Sequence, residues 1–273
     1  MFESGENKDN IPMPKFAANL SMMFNEVPFL DRFGAAAAAG FHGVEYLFPF
    51  DYPADVLASK LAEHRLENVL FNLSPGNWAA GERGITCIPG REAEFRESVE
   101  TAIAYAVALK SSRVHAMAGI APAGVDQATV RSTYIANLKY AAGKLAPHGI
   151  TLLIEAINTR DMPGFHLNTQ ADSYAVCNAV GAPNIRMQMD LYHMQVMEGD
   201  LAMKLRKYAA LCGHVQAAGA PERHEPDTGE VNYAYLFQVL DELGYDGWVG
   251  CEYRPAGKTV DGLGWRANLA RSA

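Results

Sequence analysis

The segment Thr151–Leu191, TLLIEAINTRDMPGFHLNTQADSYAVCNAVGAPNIRMQMDL, predicts one complete unit of the fold. An apolar, β-type run at Thr151–Ile157 is followed by a helical pattern at Thr169–Ala179. A second apolar run then covers Arg186–Leu191. A strand, a helix and a second strand in this order are typical of two parallel strands joined by a helical crossover.

The same alternation extends in both directions along the chain. The candidate strands are Phe16–Met22, Gly43–Leu47, Asn68–Leu73, Arg113–Ala118, Thr151–Ile157, Arg186–Leu191, His214–Ala218 and Trp248–Tyr253. The helical patterns are Pro28–Ala39, Ala54–Glu63, Glu92–Leu109, Ala128–Ala146, Thr169–Ala179, Leu201–Leu211 and Tyr233–Leu243. About eight such repeats in 273 residues predict an α/β protein with a single (β/α)8 TIM barrel.

An open, doubly wound sheet is the competing architecture. It usually carries a glycine-rich loop after the first strand, where this chain reads Ser21-Met-Met-Phe-Asn25. The barrel is therefore favoured. We expect a catalytic barrel over residues 15–273, preceded by a flexible N-terminal leader over residues 1–14, which are polar and contain proline.

Composition excludes several classes of partner. The net charge is −8 and no basic run occurs, which argues against nucleic acid. No stretch is apolar enough to predict a membrane span, and the N-terminus lacks a secretory pattern. The four cysteines form no metal-binding pair, so we expect reduced thiols in a cytoplasmic protein. A homo-oligomer is possible, but the sequence locates no interface.

Four polar residues lie inside apolar strand runs, namely Glu155, Asp190, Gln216 and Glu252. They fall on four successive predicted strands and are 35, 26 and 36 residues apart, close to the length of one βα unit. Three acids and an amide that converge on one point would repel each other without a cation. Oxygen ligands suit Mg²⁺ or Mn²⁺ better than zinc, so we expect one divalent metal ion.

The plainer alternative is that each buried acid pairs with a nearby arginine or lysine. Near these strands the sequence offers only Arg186 and Arg254, which makes the alternative weak for the whole set. Other side chains are candidates for the same pocket. The candidate substrate-binding residues are His193, which follows the sixth strand, His115, His214 and the loop residue Arg223, whose guanidinium suits a carboxylate.

From Phe16 to Trp265 the sequence resembles the hydroxypyruvate isomerase family of the xylose-isomerase-like barrels. The resemblance is densest in MDLYHMQ at Met189–Gln195, GHVQAAG at Gly213–Gly219, RHEPDTGEVNY at Arg223–Tyr233, GYDGWVGCEY at Gly244–Tyr253 and GLGW at Gly262–Trp265. Related ketohexose epimerases usually have a histidine where this chain has Gln216, so this departure favours the isomerase branch.

The resemblance implies a metal-dependent isomerase of a short hydroxy-oxo acid. Glu155 and Glu252 would bind the metal and also serve as proton donor and acceptor, while Asp190 and Gln216 complete the metal shell. The reaction would convert hydroxypyruvate to tartronate semialdehyde, or 2-oxo-tetronate to 3-oxo-tetronate, through an enediolate. These motifs do not separate the two substrates, and they do not say which glutamate acts first.

Three rival functions share this fold or site. One is a ketose 3-epimerase. The second is an endonuclease that acts on damaged DNA, which would need several metals and a basic surface. The third is a non-catalytic protein that binds sugar acids. Two long connections after the third and seventh strands, Ser74–Arg91 and Ala220–Val231, would lie over the site in every case, and loops of this kind are often lids.

Overall fold

The computed structural model describes residues 14–267. Eight parallel strands form a closed barrel in chain order, which confirms the predicted TIM barrel. They are β1 (Lys15–Asn19), β2 (Gly43–Tyr46), β3 (Glu67–Asn72), β4 (Arg113–His115), β5 (Thr151–Glu155), β6 (Ile185–Asp190), β7 (Cys212–Ala217) and β8 (Trp248–Cys251). The predicted leader lies outside the described residues except for Pro14, so it stays a prediction.

Helices occupy the connections between the strands. They are α1 (Phe29–Ala38), α2 (Ala54–His64), α3 (Glu92–Leu109), α4 (Gln127–Leu145), α5 (Gln170–Val180), α6 (Leu191–Met197), α7 (Leu201–Tyr208), α8 (Tyr233–Glu242) and α9 (Thr259–Gly262). Local sequence explains their ends. The Thr169 side chain accepts a hydrogen bond from the Asp172 amide before α5, and Gly181 ends that helix in the left-handed region.

Several predicted strands extend beyond the observed ones. The run Arg113–Ala118 is a strand only to His115, and Thr151–Ile157 only to Glu155. At these positions the chain leaves the sheet while it stays buried, so hydrophobicity continues where strand pairing has ended. The sequence patterns predicted neither α6, which begins directly after β6, nor the four-residue α9.

The two sides of the sheet differ in polarity. The large apolar core lies between the sheet and the surrounding helices. The inside of the barrel is polar towards its carboxyl end, because every strand carries a buried polar side chain in the strand or directly after it. These include Asn19, Glu45, Asn72, His115, Glu155, Gln188, Gln216 and Glu252. Such side chains need partners or a ligand, so this end of the barrel is the place to look for a site.

Two further expectations concern the cysteines and the membrane. All four cysteines are free, and three of them are buried. Among residues 14–267, the helices lack the combination of length and apolar character that crossing a membrane requires.

Candidate active site

A cavity of about 690 Å³ opens at the carboxyl ends of the strands. Six of the eight predicted site residues line it, namely Glu155, Glu252, Gln216, His193, His115 and Arg223. The other two, Asp190 and His214, are fully buried behind this lining. The structure therefore brings the whole predicted set to one end of the barrel.

The strand register explains why the four candidate metal ligands meet. Gln188 lies opposite Glu155, and Asp190 lies two residues further along its strand. Asp190 is itself opposite Gln216, Gln216 is opposite Gly250, and Glu252 again lies two residues beyond. The strands of an eight-stranded barrel stagger by about one residue per strand. A total offset of four residues over three strand pairs is close to this stagger, so the residues lie at similar depth.

The two carboxylate oxygens of Asp190 have different surroundings. As the N-cap of α6, its Oδ1 accepts hydrogen bonds from the Tyr192 amide at 2.7 Å and the His193 amide at 3.3 Å. Its Oδ2 is buried without a hydrogen-bond partner, and so is Oε1 of Glu155. One carboxylate oxygen of Glu155 and one of Asp190 lie within 4.8 Å of each other. Buried oxygens without donors, gathered this closely, fit a cation.

The pKa values of the three acids are raised because their carboxylates are buried close together. Burial raises the pKa of Glu155 well above its usual range, and the nearby Glu252 and Asp190 add to this. Burial also raises the pKa of Asp190, and it raises that of Glu252 to about 8. Raised pKa values mean that the protein alone does not compensate the negative charge of these carboxylates.

Arg223 lies beside the buried acids, where the sequence predicted only Arg186 and Arg254. It follows β7 in a loop, yet it is buried, and its Nη2 lies 3.6 Å from both Asp190 Oδ2 and Glu252 Oε2. Its Nη1 lies 3.4 Å from Asp161 Oδ2. The expectation that only Arg186 and Arg254 lie near the acids was therefore wrong. Arg186, at the start of β6, instead lines a second cavity with residues from the amino ends of the strands. Arg254 lines the same cavity and acts to lower the pKa of Glu252, but among residues 14–267 only Arg223 brings a guanidinium within 4 Å of these acids, which leaves room for a divalent cation.

His193 has a defined protonation state. Asn158 Oδ1 accepts from the Asp161 amide at 2.7 Å, so Asn158 Nδ2 must face His193 Nδ1, which lies 2.6 Å away. Nδ1 therefore accepts a hydrogen bond and the ring proton sits on Nε2. Burial, followed by Arg223, lowers the pKa of His193 well below its usual range, so the ring is neutral. Nε2, which carries the ring proton, faces the cavity and lies 3.6 Å from Asp190 Oδ2, 3.8 Å from Glu155 Oε1 and 3.5 Å from Arg223 Nη2.

The other two predicted histidines have different surroundings. His115 Nδ1 lies 3.3 Å from Asn72 Oδ1 and 3.8 Å from Glu155 Oε2, and burial lowers the pKa of His115 to about 3. His214 is buried beneath the cavity lining, and its Nε2 lies 2.7 Å from Oε2 of Glu45, which lines the cavity. His115 thus belongs to the candidate site, whereas His214 contacts Glu45 and not the substrate cavity.

Sequence reasoning missed Glu45, Gln188 and Asn158. Glu45 accepts hydrogen bonds from Gln216 and Asn19, and Gln188 donates to Gln216 Oε1 at 2.6 Å. Glu45 interrupts an apolar strand as Glu155 does, so the same criterion would have found it. Asn158 lies past the end of β5 and gave no comparable signal.

Comparisons with known proteins agree with this geometry. The family described as xylose isomerase-like TIM barrel matches residues 33–269. A 2-oxo-tetronate isomerase of Cupriavidus necator is 57% identical over 93% of this chain and 97% of its own length. A hydroxypyruvate isomerase of Escherichia coli is 49% identical over 93% of this chain and 98% of its own length. A crystal structure from Brucella melitensis, described as an AP endonuclease of family 2, has a TM-score of 0.92 and 56% identity, covering 94% of this chain and 99% of that one.

Proposed function

Because the chain belongs to the family of xylose isomerase-like TIM barrels, we propose that it isomerises a four-carbon or three-carbon 2-oxo acid that carries a hydroxyl on the next carbon. The chain is an isomerase, as the identity and coverage of its isomerase relatives show. 2-Oxo-tetronate and hydroxypyruvate are the two candidate substrates, since these are the acids after which those relatives are named.

The donor set favours a hard divalent cation, Mg²⁺ or Mn²⁺. Glu155, Asp190, Gln216 and Glu252 would hold it through oxygen atoms, and two of the carboxylate oxygens are buried without donors. When bound, such an ion polarises the ketone and hydroxyl oxygens of the substrate and makes the neighbouring C–H more acidic. The orphaned oxygens of Glu155 and Asp190 are the observation that carries this part of the proposal.

Glu155 and Glu252 would move the proton. One carboxylate takes the proton from the hydroxyl-bearing carbon, and an enediolate of the substrate forms. The other returns a proton to the carbon of the former ketone, while the proton of the substrate hydroxyl passes to the former ketone oxygen. Burial has raised the pKa of both groups, and a carboxyl with a raised pKa is a stronger base than an exposed one. The bound cation offsets part of this rise.

Substrate recognition would fall to Arg223 and His193. The Arg223 guanidinium offers fixed N–H donors to a substrate carboxylate, and its contacts with Asp161 and Glu252 orient it. His193 offers a single Nε2–H to a substrate oxygen and cannot take up a proton there while Asn158 holds Nδ1. His115 would complete the polar wall beside Glu155.

The rival functions fit these observations less well. An endonuclease, the activity given for the Brucella protein, calls for a basic surface, whereas this chain has a net charge of −8. Ketohexose epimerases usually carry a histidine where this chain has Gln216. A protein that only binds sugar acids is disfavoured because two relatives named as isomerases are 57% and 49% identical over 93% of the chain.

Proton NMR in D₂O tests the proposal directly. Metal-loaded protein is incubated with hydroxypyruvate or with 2-oxo-tetronate, and we expect rearranged product or deuterium incorporation with one of them. Absence of both signals with either acid, under Mg²⁺ and under Mn²⁺, would refute the isomerase assignment.

The Glu252→Gln variant tests the role of the second glutamate. We expect kcat to fall by about 10²- to 10⁴-fold, because the amide cannot accept the proton, while circular dichroism shows an intact fold. Glu97→Gln, at an exposed position on α3, is the matched control and should leave kcat unchanged. Near-normal turnover of Glu252→Gln would remove Glu252 from the mechanism.

A further inference from the structure

We propose that Glu45 is a positioning residue that forces the amide oxygen of Gln216, and not its nitrogen, towards the metal ligands. This inference rests on the proposed function, because it assigns a second sphere to the proposed metal site. Glu45 lies on β2, three strands away from Glu155 in the barrel, lines the same cavity and is 1% exposed. Its carboxylate therefore acts through neighbouring side chains.

Three side chains converge on the Glu45 carboxylate. Asn19 Nδ2 donates to Oε1 at 3.0 Å, Gln216 Nε2 donates to Oε1 at 2.8 Å, and His214 Nε2 lies 2.7 Å from Oε2. A carboxylate can only accept hydrogen bonds, so each neighbour has to turn an N–H towards it. The acceptor oxygens of Glu45 thus decide which way the Gln216 amide faces.

For Gln216 this choice has a chemical consequence. With Nε2 held by Glu45, Oε1 points to β6, where Gln188 Nε2 donates to it at 2.6 Å. An amide oxygen has two lone pairs, and one remains for a cation. In the opposite orientation the NH₂ group would face the acids and could not bind a cation at all. A histidine ring in place of Gln216 would have no such ambiguity between oxygen and nitrogen.

The neighbouring strand keeps the space for Glu45 free. Gly250 on β8 lies opposite Gln216, and a Cβ atom there would lie 2.4 Å from both carboxylate oxygens of Glu45. Position 250 is therefore limited to glycine while Glu45 keeps its place. This gives a second way to displace the carboxylate without changing its charge.

A purely structural role for Glu45 is the competing explanation, since its partners on β1 and β7 would also stabilise the barrel. The two explanations differ in what they predict for metal binding. A structural contact would change the melting temperature and leave the affinity of the folded protein for Mn²⁺ unaltered. A positioning contact changes that affinity in protein that is still folded.

The first experiment measures Mn²⁺ affinity by titration calorimetry on the wild type and on Glu45→Met. Both are checked by circular dichroism and thermal unfolding without metal. We expect Glu45→Met, which removes both acceptor oxygens, to bind Mn²⁺ about 10- to 100-fold more weakly, the usual effect of losing an outer-shell partner. Gly250→Ala, which displaces the carboxylate sterically, should weaken Mn²⁺ binding in the same way and serves where Glu45→Met folds poorly.

The second experiment measures Mn²⁺ affinity on Glu45→Gln, the conservative variant. Its amide oxygen can still accept from Asn19 and Gln216, as Glu45 Oε1 does, while its NH₂ group faces His214 Nε2. We expect Glu45→Gln to recover at least about tenfold of the Mn²⁺ affinity that is lost in Glu45→Met. A structural role alone predicts the same, wild-type affinity in both folded variants.

The outcomes separate the two proposals. Wild-type Mn²⁺ affinity in folded Glu45→Met and Gly250→Ala, with the wild type active in the NMR assay, would overturn the role of Glu45 and leave the isomerase intact. A wild type that binds neither Mn²⁺ nor Mg²⁺ at millimolar concentration would overturn the metal site, and with it this inference.

Discussion

At the scale of single residues, Asn158 decides which nitrogen of His193 carries the proton. Its own orientation is set by the Asp161 amide, a backbone donor that cannot be reversed. The backbone of the loop after β5 therefore determines which ring nitrogen of His193, on α6, carries the proton. The result is a neutral ring that donates towards Glu155, next to a proposed cation that would repel an imidazolium.

Replacing Asn158 with Asp should reverse this arrangement. A carboxylate beside Nδ1 would draw a proton there and raise the pKa of His193, so we expect kcat to fall by about 10-fold or more. Nitrogen-15 NMR of the histidine rings measures the change directly, because protonated and unprotonated ring nitrogens resonate far apart. Asn178→Asp, on the exposed face of α5, is the control. Unaltered His193 signals together with unaltered kcat would contradict the assignment.

The residues that could be read from sequence are those that break an apolar strand. Glu155 and Glu252 stand out because a buried acid needs a partner, and β-strand spacing gives their place in the barrel. The orientation of Gln216 and the tautomer of His193 could not be predicted this way. Both depend on partners from distant parts of the chain, Glu45 for the first and the loop after β5 for the second.

At the scale of elements, the connection Ser74–Arg91 forms one wall of the cavity. Its Trp78 packs against Phe48 with ring centroids 5.3 Å apart, and the Arg83 guanidinium lies 3.9 Å from the Trp78 ring. Glu82 holds the segment from within, through the Asn77 amide and a salt bridge to Arg91. Trp78 and Arg83 both line the cavity, so this loop is placed to contact the part of the substrate remote from the acids.

Truncating Trp78 to Ala should therefore affect binding more than chemistry. We expect KM for the preferred acid to rise about 5- to 10-fold, equivalent to roughly 1 kcal/mol, with kcat within about twofold of the wild type. Tyr174→Ala removes an aromatic ring of similar exposure on α5, away from the cavity, and should leave both constants alone. Equal KM values for Trp78→Ala and the wild type would show that this loop does not contact the substrate.

Element identity followed from the sequence more readily than element ends. The alternation of strands and helices gave the barrel, because a parallel sheet needs a crossover after each strand. The short α6 was missed because it starts at the residue that ends β6, where Asp190 closes the strand and caps the helix at once. Hydrophobic periodicity cannot separate two elements that share a residue.

At the scale of the whole molecule, the buried acids of the site lower the free energy of unfolding, and a bound metal ion would raise it. Three buried acids and one arginine remain in the protein alone, and burial raises the pKa of Glu252 to about 8 from its ordinary value of 4.5. Between these two pH values the folded protein keeps a proton that the unfolded chain has released. Unfolding then releases a proton, so stability falls as the pH rises.

We therefore expect metal-free protein to lose stability from pH 5 to pH 8, with a slope of at most about 1.4 kcal/mol per pH unit from this one group. Glu252→Gln lacks the titrating carboxyl, so its advantage in the free energy of unfolding over the wild type should grow with pH. Urea denaturation at several pH values measures the difference, with Glu97→Gln as the surface control. Excess Mg²⁺ should raise wild-type stability most at pH 8, where the cation replaces the missing proton. Parallel pH dependence in wild type and Glu252→Gln would mean that Glu252 already holds its charge in the folded protein, and that Arg223 alone balances the site.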